Sequence, residues 1–119
     1  MELHLAGQVA LITGAGQGVG RGIALTLAAE GCKVAVNDLF PDRAEAVAAE
    51  IAAAGGTALA IAADITDAGA VSAMVARARE ALGPLSILIN NAGVLPVQRE
   101  VQRPRPLFYE TTLAEQQEM

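Results

Sequence analysis

The apolar positions of this chain alternate between short continuous runs and longer stretches with helical spacing. The run Val9-Ala10-Leu11-Ile12 predicts a first strand over Gln8 to Thr13, and Lys33 to Asp38, Thr57 to Ala63 and Leu85 to Asn90 read as three more. Between the strands, apolar residues recur every three or four positions. Val19, Ile23 and Leu27 mark one face of a helix over Val19 to Glu30, which Gly31 ends. A second helix carries Val47, Ile51 and Ala54 as its buried stripe and stops at Gly55-Gly56, and Asp42 and Glu45 before it have capping-box spacing, with Asp in place of Ser or Thr. A third, Asp67 to Leu82, turns Val71, Met74, Val75, Ala78 and Leu82 inward and breaks at Gly83-Pro84.

Strands and helices in alternation, joined by short connections that each cross right-handed, build a doubly wound α/β sheet with parallel strands. Ligands of such sheets bind at the carboxyl ends of the strands, near the switch point. The segment Leu95 to Pro106 changes character, with three arginines and three prolines, and reads as part of an extended loop over 95–111 with a solvated surface. Thr112-Leu113-Ala114-Glu115 is a capping box that opens a further helix over 112–119.

Composition narrows the function classes. The 119 residues suffice for one domain with a core, and 53% hydrophobic content argues against disorder. Much of that content is alanine, with Phe40, Phe108 and Tyr109 as the aromatics, which suits helices packed closely on a sheet. A net charge of -5 and a pI near 4.7 leave no basic surface for a nucleic acid or an anionic membrane. The first residues lack the basic start and apolar core of an export signal, and no apolar run approaches the roughly 18 residues that cross a bilayer, so a cytosolic protein is expected. The single cysteine, Cys32, reads as a small apolar residue, and His4, the single histidine, as solvated. No metal site is expected.

The chemistry concentrates in Thr13-Gly14-Ala15-Gly16-Gln17-Gly18-Val19-Gly20, which lies between the first strand and the first helix. Strand, glycine turn and helix in that order make a phosphate cradle, because free amide hydrogens and the positive end of the helix converge there. The spacing is G-x-x-x-G-x-G through Gly14, Gly18 and Gly20; G-x-G-x-x-G fails because Val19 occupies its last position. Asp38 follows 18 residues after Gly20 at the end of the second strand, where a carboxylate can accept the hydroxyl hydrogen bonds of an adenosine ribose. A helix-entry role for Asp38 is the alternative. As a ribose ligand it would repel a 2'-phosphate by up to roughly 4 kcal/mol per charge pair at about 4 Å and an effective dielectric near 20. Gln17 and Leu39, the positions that would offer a compensating cation, are neutral, so NAD is expected in preference to NADP.

These residues resemble the short-chain dehydrogenase/reductases, in the spacing of the ordinary rather than the extended subclass. Thr13 to Gly20 is similar to that family's T-G-x-x-x-G-x-G cofactor motif, Asp64-Ile65-Thr66 to its D-x-[TV] element, and Asn90-Asn91-Ala92-Gly93 to its N-N-A-G motif. The resemblance covers about residues 5 to 95. It implies a Rossmann-type sheet with strand order 3-2-1-4. It also implies that the Asp64 side chain and Ile65 backbone flank the adenine, that Asn91 stabilises the central sheet, and that Ala92 and Gly93 border the nicotinamide ribose. From the residues alone, Asp64 could instead serve the following helix, which Thr66 or Asp67 could cap. The expected cofactor-binding set is Gly14, Gln17, Gly18, Val19, Gly20, Asp38, Leu39, Asp64, Ile65, Asn91, Ala92 and Gly93.

The family's catalytic Tyr-x-x-x-Lys pair and upstream serine have no match. The single lysine is Lys33, in the second strand; Tyr109 has Leu113 four residues on; Ser72 falls within a helix and Ser86 opens a strand. The expectation is therefore that the chain is the amino-terminal, cofactor-binding half of an NAD-dependent alcohol/carbonyl oxidoreductase, inactive alone. The alternative is a non-catalytic nucleotide-binding or interaction module. Homo-oligomers are expected, with the apolar fourth strand (Leu85, Ile87, Leu88, Ile89) as an edge prone to association.

Overall fold

A computed structural model describes residues 4–91. The loop expected over 95–111 and the helix expected over 112–119 lie outside the described residues. Within them the order is β1 (Val9–Ile12), α1 (Gly18–Ala29), β2 (Lys33–Asp38), α2 (Pro41–Ala53), β3 (Thr57–Ala62), α3 (Ala68–Leu82) and β4 (Ile87–Ile89). All strand pairs are parallel and the sheet order is β3-β2-β1-β4. Leu11 of β1 faces Ala35 of β2 on one side and Leu88 of β4 on the other, so β1 is central.

The continuous apolar runs are explained by burial on both faces of the sheet. Side chains alternate: Ile12, Val34 and Val36 join Ala24, Val47 and Ile51 beneath α1 and α2, while Val9, Leu11 and Ala35 join Ile61, Met74, Ala78 and Leu82 beneath α3. Every strand therefore ends its carboxyl terminus on the same edge, between two layers of helix. At the outer strand β4, Leu88 is 48% exposed.

Three helix expectations need correction. On α1, Val19 is not part of the buried face: it is 73% exposed and lines an outward groove with Gly22, Ile23, Thr26 and Leu27. Gly20 and Ala24 take the sheet side instead, because α1 leaves the glycine turn close against the strands and only the smallest residues fit there. On α2, the capping box does not form. Pro41 occupies the first turn and Phe40 the N-cap, without a side-chain cap; the fixed proline φ and missing N–H start the helix ahead of Asp42, whose charge then sits in the first turn. Ala54 is the exposed C-cap, and the buried stripe is Ala44, Val47 and Ile51. α3 keeps its expected face, with Met74, Ala78 and Leu82 buried and Val71 and Val75 packed at the margin.

Cys32 is buried, its thiol donating to the Leu5 carbonyl at 3.5 Å; burial, and secondarily Glu30, push its pKa up, as suits an apolar filler. His4 is exposed, and no helix among the described residues is long and apolar enough to cross a membrane. Arg21 of α1 and Glu50 of α2 form a two-pronged ion pair on the surface, Nε donating to Oε1 at 2.8 Å.

Ala24→Leu should overpack the α1–sheet contact and destabilise by about 1–3 kcal/mol, whereas Val19→Ala should change stability by less than about 0.5 kcal/mol; urea titration checks both, and the reverse order would restore Val19 to the core. The Arg21 guanidinium holds the Glu50 carboxyl below its ordinary 4.5, so the pair's contribution is complete above that pH and is lost as pH falls through the lower folded value. The stability gap between wild type and Glu50→Gln should therefore be small, open at neutral pH and closed in acid.

Candidate functional site

The carboxyl edge of the sheet is organised by the ends of β1 and β2. After Ile12, Thr13 stays in register, its N–H donating to the Ile89 carbonyl at 3.0 Å, and the chain then turns across the end of β2. Gly14 N–H donates to Asn37 Oδ1 (3.4 Å), Ala15 N–H to the Asn37 carbonyl (2.7 Å) and Gly16 N–H to Asp38 Oδ2 (3.0 Å). Three successive amides are thereby fixed on two residues of the neighbouring strand.

The four glycines meet two demands. Gly14 and Gly18 have φ of 62° and 60°, the left-handed region that side chains disfavour. Gly16 and Gly20 answer crowding. A Cβ on Gly16 would lie 2.5 Å from both Asp38 Oδ2 and Arg43 Cβ, and one on Gly20 would collide with Asn91 Nδ2 and the Gly14 carbonyl. α1 then begins without a side-chain cap on Gln17. Among the described residues nothing accepts from the N–H groups of Gln17, Gly18, Val19 and Gly20, which leaves a row of donors at the positive end of α1.

Asp38 is 6% exposed and bridges two elements: Oδ2 accepts from Gly16, Oδ1 from Phe40 N–H at 3.0 Å. The helix-entry reading is thus part of its role, since Phe40 is the N-cap of α2. A carboxylate offers about four acceptor directions, so two amide bonds leave capacity for hydroxyl donors. Leu39 and Phe40, 55% and 50% exposed, continue along this edge.

Asn91 ties β4 to the turn. Its N–H donates to Thr13 Oγ1 (3.0 Å) and its Nδ2 to the Gly14 carbonyl (3.1 Å). Asp64 lies one strand farther out: Ala63 N–H donates to the Asp38 carbonyl at 3.1 Å, and the exposed Asp64 carboxylate then accepts from Thr66 Oγ1 (2.7 Å) and Thr66 N–H (2.9 Å). Those two bonds hold the Asp64 carboxyl below its usual range. The cap of α3 is Asp67, which accepts from Ala70 N–H at 3.1 Å. Ile65 packs against the α3 side of the core.

The structure therefore gathers Gly14, Gly18, Gly20, Asp38 and Asn91 at one turn, with Gln17 and Val19 at the head of α1 and Leu39, Asp64 and Ile65 along the same edge. Ala92 and Gly93 lie outside the described residues. Three residues absent from the expected set belong to this architecture. Gly16 is pressed against Asp38. Asn37 is fully buried, accepting from Gly14 and donating to the Ile61 and Ala63 carbonyls at 3.1 and 3.3 Å. Arg43 stands over Gly16. Only Asn37 carried a clear signal, a polar residue inside an apolar strand.

A turn with free amides at a helix start, an acidic residue at the next strand end and an asparagine clasp between the halves suits an anionic ligand joined to a sugar. Comparisons with known proteins give the family. The short chain dehydrogenase family model matches residues 8–114. L-rhamnose 1-dehydrogenase (NAD(P)(+)) of Azotobacter vinelandii is 38% identical, over 90% of this chain and 43% of its own length. The 7alpha-hydroxysteroid dehydrogenase of Escherichia coli is 46% identical, over 77% of this chain and 36% of its own. A solved 7 alpha-hydroxysteroid dehydrogenase, complexed with NADH and 7-oxo glycochenodeoxycholic acid, superposes with a TM-score of 0.74 at 46% identity, covering 75% of this chain and 35% of that one. The chain thus spans about two fifths of the length of these curated relatives. With its motifs, its sheet order and these likenesses in agreement, the chain belongs to the short-chain dehydrogenase family.

Proposed function

We propose that this chain is the NAD(H)-binding portion of an oxidoreductase that interconverts an alcohol and a carbonyl compound. The observation that carries the reading is the 3.0 Å hydrogen bond from Gly16 N–H to Asp38 Oδ2. It fixes a sugar-binding carboxylate next to a row of amide donors without partners among the described residues, the spacing that a ribose and its diphosphate require.

In this reading the amides of Gln17 to Gly20 and the α1 dipole hold the diphosphate. Asp38 accepts from the adenosine ribose hydroxyls on its remaining lone pairs, while Leu39, the Asp64 side chain and the Ile65 backbone border the adenine. Asn91 holds Gly14 in place, and Ala92 and Gly93 continue toward the nicotinamide ribose. When bound, the nicotinamide supplies the hydride donor or acceptor. The residues of this chain bind and orient it; the family's Tyr-x-x-x-Lys acid–base pair has no counterpart in the 119 residues. The whole protein's substrate is a hydroxyl or carbonyl compound, as the names of the relatives suggest for them.

Asp38 also sets the cofactor preference. Its negative charge at the ribose favours NAD, whose sugar carries hydroxyls, over NADP, whose 2'-phosphate it repels.

Calorimetry should give tighter binding of NAD than of NADP, and NADP preferred would overturn the cofactor assignment. Asp38→Asn should narrow the preference by about tenfold, and should also lower stability by about 1–3 kcal/mol because an amide cannot accept from both Gly16 and Phe40. Gly20→Ala should weaken both dinucleotides together by displacing Asn91 and Gly14. Turnover of NAD or NADH with alcohols and ketones should be nil for this chain alone; measurable turnover would contradict the division between binding and acid–base residues.

A further inference from the structure

We propose that Asn37 is a positioning residue for the dinucleotide: its buried side chain fixes the distance between the glycine turn and the end of β3, so that the diphosphate and the adenosine are gripped together. The inference rests on the reading of this edge as a dinucleotide site.

The packing of β2 does not call for an asparagine. Val34, Ala35 and Val36 before it are apolar and fully buried, and Asn37 itself is 1% exposed. A polar amide in such a place is costly unless its hydrogen bonds are met. Here they are met on both sides. Oδ1 accepts from Gly14 N–H at 3.4 Å, while Nδ2 donates to the carbonyls of Ile61 (3.1 Å) and Ala63 (3.3 Å). The main-chain carbonyl of Asn37 also accepts from Ala15 N–H at 2.7 Å. One residue thus holds two consecutive amides of the turn and, with the other end of its side chain, two carbonyls at the end of β3. Neighbours of similar size could not do the same. Leucine offers neither donor nor acceptor, and an ionised aspartate would set its lone pairs against both carbonyls.

The line of bonds continues through Gly14. Its carbonyl accepts from Asn91 Nδ2 at 3.1 Å, so Gly14 is held from the β4 side through its C=O and from β2 through its N–H. From Asn91 through Gly14 and Asn37 to Ala63, hydrogen bonds cross the ends of all four strands. Strand pairing cannot replace this line, because the register between β1 and β2 ends at Ile12 and Val36, before the turn begins. The two halves of the proposed ligand meet the chain just beyond its anchored points. The amides of Gln17 to Gly20 follow Gly14 and Ala15, and Asp64 and Ile65 follow Ala63. A ligand that spans both places gains from the second contact only when their spacing is already set, which is what the Asn37 side chain supplies.

Isothermal titration of the full chain and of Asn37→Ala with adenosine and with ADP tests the coupling. Wild type should bind ADP more tightly than adenosine. In Asn37→Ala both should weaken, ADP by about tenfold more than adenosine, so that the ADP:adenosine affinity ratio falls. A merely structural role lowers the folded fraction and both affinities in parallel; an unchanged ratio therefore overturns the proposal. Wild type provides a second readout that does not depend on the variant's folding. Inorganic pyrophosphate, which can occupy only the row of amides, should move the Asn37 side-chain NH2 resonances and the backbone amide resonances of Ala63 and Asp64. Shifts that stop at Gln17 to Gly20 overturn the role of Asn37 and leave the dinucleotide site standing. Failure of wild type to bind adenosine, ADP and pyrophosphate overturns both.

Discussion

Where β1 ends, the backbone runs so close to its neighbours that side chains have no room, and the rest of the site follows from that crowding. Gly16 is pressed onto the Asp38 carboxylate, and Gly20 onto Asn91 and the Gly14 carbonyl. Because α1 starts inside this crowded bend, it must lie close on the sheet, and it buries Gly20 and Ala24 fully against it. The same bend leaves the first amides of α1 without acceptors among the described residues. Packing and binding capacity are two results of one steric constraint.

The parallel sheet supplies what the bend needs around it. Strand order β3-β2-β1-β4 brings Asp38, Asp64 and Asn91 to the same edge from three different strands, at distances set by strand spacing rather than by loops. Asn37 adds rigidity, since its buried amide links the glycine turn to the end of β3. Asp38 consequently holds the turn and the start of α2 together by two amide bonds, and lone pairs remain for the sugar hydroxyls of the proposed ligand.

Most of this was legible in the sequence. Every strand and helix among the described residues appears in the expected order, because continuous apolar runs and helical spacing alternate clearly and glycines punctuate them. The errors have specific causes. On α1 the expected stripe of Val19, Ile23 and Leu27 competes with Gly20, Ala24 and Ala28; the close approach of helix to sheet buries Gly20 and Ala24, leaves Ile23, Leu27 and Ala28 packed at the margin of the same core, and puts Val19 outside. On α2 the carboxylate spacing suggested a cap, but Pro41 had already set the start. Within the candidate site, Gly14, Gly18, Gly20 and Asp38 could be read from spacing, and Asn91 from the family resemblance. Arg43 could not, since its place beside Gly16 depends on how α2 sits on the sheet, a long-range contact that no local pattern encodes.

The central claim is that the bend between β1 and α1 grips a diphosphate through its free amides. Titrating labelled protein with NAD and following backbone amide resonances tests it most directly. The largest shifts should fall at Gln17 to Gly20, with Asp38 and its neighbours following. Shifts absent from that bend, or confined to another surface while NAD binds, would contradict it.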